Sequence, residues 1–108
     1  MELNEYQDHA LSTAIFPKDM AIPYCTMKLC GEAGECTEKI AKVYRDENGV
    51  FTIEKCMEIG KELGDVLWYL ANLADLFGWS LDEIAQMNVE KLADRQRRGV
   101  LSGSGDNR

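Results

Sequence analysis

The stretch Glu62-Leu-Gly-Asp-Val-Leu-Trp-Tyr-Leu-Ala-Asn-Leu-Ala-Asp-Leu-Phe77 decides the fold of this chain. Its apolar residues recur every three or four positions, which is the period of a helix with one buried side. That side is formed by Leu63, Val66, Leu67, Leu70, Leu73, Ala74 and Phe77. Thr52 can cap this helix at its start, and Gly78 fits the left-handed residue that ends it. We therefore predict a long helix that reaches about Phe77.

Helical periodicity also dominates the chain before this helix, where no alternating strand pattern of useful length occurs. Asn4 can cap a first helix that reaches about Ile15 and is ended by Phe16-Pro17. A loop containing Pro23 follows. A second helix is predicted over about Tyr24–Tyr44, because its apolar residues fall on one side.

The last part of the chain contains one more helix and a tail. Ser80-Leu-Asp-Glu83 has the form of a capping box and opens a fourth helix that reaches about Arg97. We predict an all-α fold, a four- to five-helix bundle-like protomer that occupies residues 1–98. The Gly/Ser-rich tail, residues 99–108, should be flexible in isolation and could complete a site on the helical domain. Apolar stripes this wide in so small a chain predict self-association.

Composition limits the classes of function. The 108 residues carry a formal net charge of −7, which disfavours non-specific binding to nucleic acid or to an anionic membrane. A phosphate-bearing ligand would therefore require metal cations. There is no apolar run long enough for a membrane span and no signal peptide pattern at the N-terminus, so we expect a cytoplasmic protein.

The four cysteines form no Cys-x-x-Cys pair, and the single histidine, His9, lies well before all of them. A disulfide framework or a Cys/His zinc site is therefore poorly supported, and we expect buried free thiols. A redox or zinc module remains an alternative that metal analysis would test.

Two acidic pairs lie at matching positions on the two central helices. Glu32 and Glu35 lie beside the apolar side of the second helix, and Glu62 and Asp65 have the same offset on the third. If the two helices pack antiparallel, these four carboxylates can meet at one edge of the core. Like charges held together there would repel strongly unless cations intervened, and hard oxygen ligands suit Mg²⁺ or Mn²⁺.

The alternative is an ordinary solvated face, since one Glu pair at i and i+3 is common on helix surfaces. Two matching pairs favour metal binding, and so do the glycines around them. Gly31, Gly34, Gly60 and Gly64 each cost about 1 kcal/mol relative to alanine inside a helix. Close helix approach or ligand access would explain their presence.

These residues resemble a known family. Leu29-Cys-Gly-Glu-Ala-Gly-Glu-Cys-Thr-Glu38 and Lys61-Glu-Leu-Gly-Asp-Val-Leu-Trp-Tyr-Leu70 are similar to the metal helices of the MazG-like, all-α nucleoside triphosphate pyrophosphohydrolases. The downstream stretches Asn88-Val-Glu-Lys-Leu-Ala-Asp-Arg95 and Arg98-Gly-Val-Leu-Ser-Gly-Ser-Gly-Asp-Asn-Arg108 strengthen the resemblance. The resemblance extends over nearly the whole chain. Within the family, the chain resembles the short, single-domain members.

The resemblance implies an enzyme that hydrolyses an NTP or dNTP to the monophosphate and pyrophosphate. It also implies a homodimer or homotetramer whose site is completed across subunits. Under it Glu32, Glu35, Glu62 and Asp65 bind Mg²⁺, for which Mn²⁺ could substitute. Either Glu35 or Glu38 could be the catalytic base.

Substrate-binding residues are expected on the third and fourth helices. Asn88, Lys91 and Arg95 share one face of the fourth helix and match family positions that could hold the phosphates. Trp68 and Asn72 fall on the Asp65 side of the third helix, away from the apolar stripe. An exposed tryptophan there would suit either a stacked nucleobase or a subunit interface.

Other functions remain open. A narrower dUTP or dCTP pyrophosphatase would share the metal ligands and differ in the base pocket. A phosphoribosyl-ATP pyrophosphatase is a related possibility, and a non-catalytic helical dimerisation module is the alternative from another class. The preferred base and sugar cannot be predicted from the sequence.

Overall fold

The computed structural model describes all 108 residues and contains four α-helices with no strand. We label them in chain order, and a short 3₁₀ turn, Lys18–Met20, precedes the second. The helices are α1, Leu3–Ser12; α2, Ala21–Asp46; α3, Ile53–Leu76; and α4, Leu81–Arg97. The all-α prediction is confirmed, with four helices.

Helices α2 and α3 form a hairpin that is the main packing unit of the protomer. The turn between them contains Asn48 and Gly49, both in the left-handed region at φ of 54° and 76°. Thr52 then caps α3 as predicted, because its side-chain oxygen accepts a hydrogen bond of 3.1 Å from the amide of Lys55. The short connection makes the two helices antiparallel neighbours, so their acidic pairs lie along one seam.

The predicted start of α1 was wrong. The helix begins at Leu3, and Asn4 does not cap it. The Asn4 side chain instead accepts a hydrogen bond of 3.0 Å from the amide of Asp82 at the start of α4. Helix α1 also ends at Ser12, earlier than predicted, and Pro23 lies in the first turn of α2, where an amide donor has no helical partner to lose.

The start of α4 is fastened to the rest of the molecule by one buried side chain, Gln7. Its amide nitrogen donates to the carbonyls of Ala71 and Trp79, at 3.2 and 3.0 Å. Its oxygen accepts from the amide of Leu81 at 3.0 Å. The predicted capping box of Ser80 and Glu83 is present. The first amides of α4 are therefore satisfied by its own cap and by two side chains of α1.

The core at this junction is small, consisting of Ala10, Ala71, Ala74 and Leu81. Helix α4 packs mainly against α1 and does not lie along the hairpin. The radius of gyration is 16.8 Å, whereas a compact monomer of this length has about 13 Å. The protomer is thus more extended than a closed bundle.

Much of the predicted apolar side of α3 is exposed in this protomer. Leu63 is 55% exposed and Phe77 is 61% exposed, and α4 adds the half-exposed Leu92.

The four helix glycines make no close contact within the protomer, because a Cβ added at Gly31, Gly34, Gly60 or Gly64 would have no neighbouring atom within 4 Å. Close helix approach within the protomer, one of the two expected reasons for these glycines, was wrong.

Candidate metal centre

Three carboxylates from the two hairpin helices converge at the seam. Glu32 and Glu35 come from α2 and Glu62 comes from α3, and one oxygen of each lies within 4.8 Å of the other two. Glu32 and Glu62 are half-buried, and Glu35 is exposed. We call these three residues the acidic cluster. Hard oxygen donors of this kind fit a divalent cation such as Mg²⁺.

The electrostatics of the cluster follow from this crowding. Burial, followed by the neighbouring Glu35 carboxylate, raises the pKa of Glu32 above its ordinary value. Lys28 opposes this shift, and Asp65 adds to it. An anion that is disfavoured by burial and by like charges is stabilised by a nearby cation. The donor set and its charge therefore both fit a bound metal ion.

Asp65, the fourth predicted ligand, lies outside the acidic cluster. It is exposed on α3, one turn beyond Glu62, and its charge acts on both Glu32 and Tyr6. Asp65 therefore affects the cluster through its charge, although its carboxylate is not among the three that converge.

Glu38 lies one turn beyond Glu35 and beside it. These two residues and Glu62 line an open cavity of about 180 Å³, together with Lys39 and Lys42. The Glu38 carboxylate is 3.5 Å from the amine of Lys42. Glu38 therefore faces the same space as the cluster without belonging to it.

Two lysines border the acidic cluster, and sequence reasoning missed both. The amine of Lys28 is 3.6 Å from Glu32, and the amine of Lys39 is 3.7 Å from Glu62. Lys28 lies one turn before Glu32 on the same face of α2, a spacing that could have indicated the contact. No local signal marks Lys39, because its partner is on the other helix.

An aromatic group adjoins the cluster on the Glu32 side. Tyr69 lies edge-on against Trp68, with ring centroids 4.8 Å apart, and Tyr24 and Phe16 continue the group. Burial, followed by the neighbouring Tyr24 hydroxyl and then the Glu32 carboxylate, raises the pKa of Tyr69 to about 12. Tyr69 was also missed, although its position seven residues after Glu62 places it on the same face of α3.

Trp68 and Asn72 were expected to face away from the packed side of α3, and this was wrong. Helix α1 and the loop after it cover that face. Trp68 is half-buried, and its ring nitrogen donates to the Thr13 hydroxyl at 2.8 Å. Asn72 is only 1% exposed and donates to the carbonyls of Ala10 and Trp68.

The predicted phosphate-binding face of α4 is divided. Asn88 and Lys91 are exposed and line a shallow cavity of about 250 Å³ on that helix. Arg95 is only 6% exposed, and its guanidinium donates to the carbonyl of Asp106 in the tail at 2.8 Å. Arg95 therefore does not share an open face with the other two. No residue of α4 lines the cavity at the acidic cluster.

The tail is folded against the end of α4. The Arg108 guanidinium donates to the carbonyls of Val100, Leu101 and Gly105, which closes residues 100–108 into a loop. The carbonyl of Arg108 accepts from Arg98. Arginine side chains thus order a segment that the sequence alone predicts to be flexible.

The cysteines are free thiols, but only two of them are buried. Cys25 and Cys36, both on α2, are buried, and burial raises the pKa of Cys25. Cys30 and Cys56 are exposed, contrary to the expectation of four buried thiols.

Comparison with known proteins shows to which family the chain belongs. A family model, the MazG nucleotide pyrophosphohydrolase domain, matches residues 24–100, which include the acidic cluster and α4. The chain belongs to the MazG family. Membership in the MazG family implies a nucleotide substrate, and metal dependence is general in the family.

Two relatives illustrate how far this MazG chain resembles curated proteins. It is 44% identical over 114 aligned residues to the Gene 37 protein of Mycobacterium phage L5, and the match covers all of both chains. It is 35% identical over 72 residues to the uncharacterized protein YvdC of Bacillus subtilis, covering 62% of this chain and 68% of that protein. No solved structure gave a significant match.

None of the four helices of this protein is both long and apolar enough to cross a membrane.

Proposed function

We propose that this protein is a Mg²⁺-dependent nucleoside triphosphate pyrophosphohydrolase that cleaves an NTP or dNTP between the α and β phosphates. The observation that carries the proposal is the acidic cluster, in which one oxygen from each of Glu32, Glu35 and Glu62 lies within 4.8 Å of the others. A polyphosphate would be repelled by this site and by the net charge of −7 without a cation between them. The family match supports the same chemistry.

The proposed metal ligands are Glu32, Glu35, Glu62 and Asp65. A bound Mg²⁺, or Mn²⁺ in its place, supplies charge neutralisation at the phosphates and lowers the pKa of an attacking water. Asp65 would serve from the edge, since its charge acts on Glu32 although it lies outside the cluster. Lys28 and Lys39 limit the repulsion among the carboxylates and hold their positions.

The general base is proposed to be Glu38 or Glu35. Glu38 has the advantage that it faces the cavity shared with Glu35 and Glu62 and is not a member of the cluster. Its neighbour Lys42 lies 3.5 Å away and can hold the carboxylate in position. Glu35 would act as base only if it were released from metal binding.

The phosphates and the base are proposed to be held by different helices. Asn88 and Lys91 on α4 would bind the phosphates, with Arg95 joining them only after its contact with Asp106 is broken. Trp68 and Asn72 would lie at the base end of the substrate, where the aromatic group leads away from Glu32. Because α4 does not border the acidic cluster, we propose that a homodimer or homotetramer completes the site across subunits.

The domain limits follow from this scheme. Residues 1–98 would form the pyrophosphohydrolase domain, and the tail, residues 99–108, would control access to Arg95. The exposed apolar surface of α3 and α4 supports burial by a second copy of the chain.

The experiment that tests the proposal is product analysis with Mg²⁺ and a panel of the common NTPs and dNTPs, including dUTP. Monophosphate and pyrophosphate from any member would establish the reaction. Orthophosphate and diphosphate would mean that another bond is cleaved, and turnover of phosphoribosyl-ATP alone would assign the related activity. No turnover of any of them would favour a non-catalytic helical module.

A further inference from the structure

The largest cavity of the molecule lies away from the acidic cluster, where α1, the loop after it and the end of α3 meet. It has a volume of about 470 Å³, and five of its eight lining residues are apolar, among them Leu11, Phe16 and Leu76. The polar lining residues are Lys18, Asn72 and Asp75. An apolar cavity with a few polar groups is typical of a site for a small organic ligand.

Asn72 gives this cavity a specific chemical requirement. Its side-chain oxygen, Oδ1, is the one buried side-chain polar atom in the structure without a hydrogen-bond partner. The amide cannot be turned to relieve this, because Nδ2 already donates to two carbonyls, those of Trp68 at 3.0 Å and Ala10 at 3.4 Å. A rotated amide would place its oxygen against both carbonyl oxygens. Asn72 therefore has an unused acceptor, which a ligand reaches once the atoms covering Oδ1 shift slightly, and it has no N–H left to donate.

Aromatic residues connect the cavity with the acidic cluster. Phe16 lines the cavity and contacts Trp68 edge-on, with ring centroids 6.2 Å apart. Trp68 contacts Tyr69, whose pKa is affected by Glu32. A nucleotide with its phosphates near the carboxylates could therefore direct its flat base along these rings towards Asn72.

We propose that this cavity binds the base of the substrate and that Asn72 selects bases with an exocyclic amino group, such as cytosine and adenine. The inference rests on the proposed function for the rest of the nucleotide. An amino group donates to Oδ1, whereas the carbonyl oxygen at the same position in uracil or hypoxanthine would face another acceptor. A site built for one hydrogen-bonding pattern rejects the analogue that leaves its polar groups unpaired.

Matched nucleosides test this inference independently of catalysis. Deoxycytidine is compared with deoxyuridine, and deoxyadenosine with deoxyinosine, by NMR titration of the full chain without metal. Each pair differs only in an amino group replaced by a carbonyl. We expect the amino member to bind roughly tenfold more tightly and to shift the side-chain amide resonance of Asn72. Equal affinity within each pair, or no shift at Asn72, would overturn the inference.

A cavity-filling variant avoids disturbing Asn72 itself. Ala14→Phe adds a ring to a lining residue and leaves both backbone contacts of Asn72 in place. It should abolish nucleoside binding, whereas Ala41→Phe, an exposed control on α2, should not. Unchanged binding by Ala14→Phe would place the ligand elsewhere and sink the proposal.

The two proposals fail in different ways. If triphosphates are hydrolysed without preference between dCTP and dUTP, or between dATP and dITP, the inference about Asn72 is wrong and the pyrophosphohydrolase function stands. If the amino nucleosides bind preferentially and no triphosphate is cleaved, the cavity inference stands and the proposed reaction is wrong.

Discussion

The α2–α3 hairpin and helix α4 differ in how much of a site each completes within one protomer. The hairpin brings together carboxylates from two helices and borders them with Lys28 and Lys39. Helix α4 carries the basic residues expected at the phosphates but does not reach the acidic cluster. Its Arg95 is occupied by the tail.

This difference separates metal binding from phosphate binding. Carboxylates that must share a small cation have to be held by neighbouring helices, so the short hairpin turn is sufficient to position them. Residues that hold a flexible polyphosphate can come from another helix or another subunit. We therefore expect substitutions on the hairpin to affect the chemical step and substitutions on α4 to affect substrate affinity.

The largest effect is expected at the acidic cluster. Glu35→Gln keeps the shape of the side chain but removes a charged ligand, so kcat/KM with Mg²⁺ should fall at least about 100-fold. Stability should be unchanged or raised, because like-charge repulsion is relieved. Steady-state kinetics and circular dichroism would measure the two. Glu54→Gln, exposed in the first turn of α3, is the control, and full activity of Glu35→Gln would show that the metal assignment is wrong.

A large loss of stability is expected at the junction between α4 and the rest of the protein. Gln7→Met keeps the length of the side chain but removes three hydrogen bonds to backbone groups, two of them buried. We expect urea unfolding to show a loss of about 2 to 3 kcal/mol. Asn4→Ala, which removes one exposed bond to α4, should cost less than about 1 kcal/mol. Equal losses of stability in the two variants would mean that the burial of Gln7 does not determine its contribution.

A smaller effect is expected on the exposed face of α4. Lys91→Ala should raise KM roughly tenfold and leave kcat nearly unchanged, because one charge-assisted phosphate contact is lost. Lys18→Ala is no suitable control, since that lysine lines the proposed base cavity. Lys61→Ala, exposed on α3, is better, and an unchanged KM for Lys91→Ala would remove α4 from the site.

Mixing two variants distinguishes a site within one protomer from a shared site. If Lys91 acts on the partner's carboxylates, a mixture of Glu35→Gln and Lys91→Ala proteins contains mixed dimers with one intact site. With substrate well below KM, where Lys91→Ala alone has about a tenth of the wild-type activity, random exchange in equal amounts would then bring the activity to about a quarter of the wild-type value. Activity no higher than the sum of the two separate proteins would contradict completion across subunits.

The smallest effect is expected at Tyr69. Its raised pKa of about 12 means that the folded protein holds this proton more tightly than the unfolded chain does. The associated stability is present below the ordinary pKa of 10 and is lost as the pH rises through about 12. Tyr24→Phe should lower the pKa of Tyr69 by less than about one unit, because burial remains the larger cause. Ultraviolet titration of tyrosinate would measure it, and a pKa unaffected by Tyr24→Phe would exclude the hydroxyl contact.

Local signals predicted the helices well, because each depends on neighbours in sequence. The caps at Thr52 and Ser80 and the left-handed Gly78 were predicted correctly. The prediction for Asn4 was wrong because its side chain accepts a hydrogen bond from a helix that begins 77 residues later. No local pattern contains that information. Asn4 does bond to the start of a helix, as its residue type favours, but that helix is α4 and not α1.

The candidate site divides along the same line. Periodicity indicated that Glu32, Glu35 and Glu62 would approach one another, since each position follows from a single helix and a short turn. The burial of Asn72 and Arg95 could not be predicted, because it depends on α1 and on the tail folding over them. Lys39 was missed for the same reason, as its partner Glu62 lies on another helix.

The fastening of α4 by Gln7 also has a consequence for the order of folding. The hairpin closes over a short turn, whereas the bond between Gln7 and Leu81 joins residues 74 positions apart. Bringing distant segments together loses more chain entropy, so contacts close in sequence tend to form first. We expect α2 and α3 to pair early and α4 to join last. In the folded protein, α4 should then be the first helix to exchange its amide hydrogens with solvent, while the helices that carry the carboxylates remain protected.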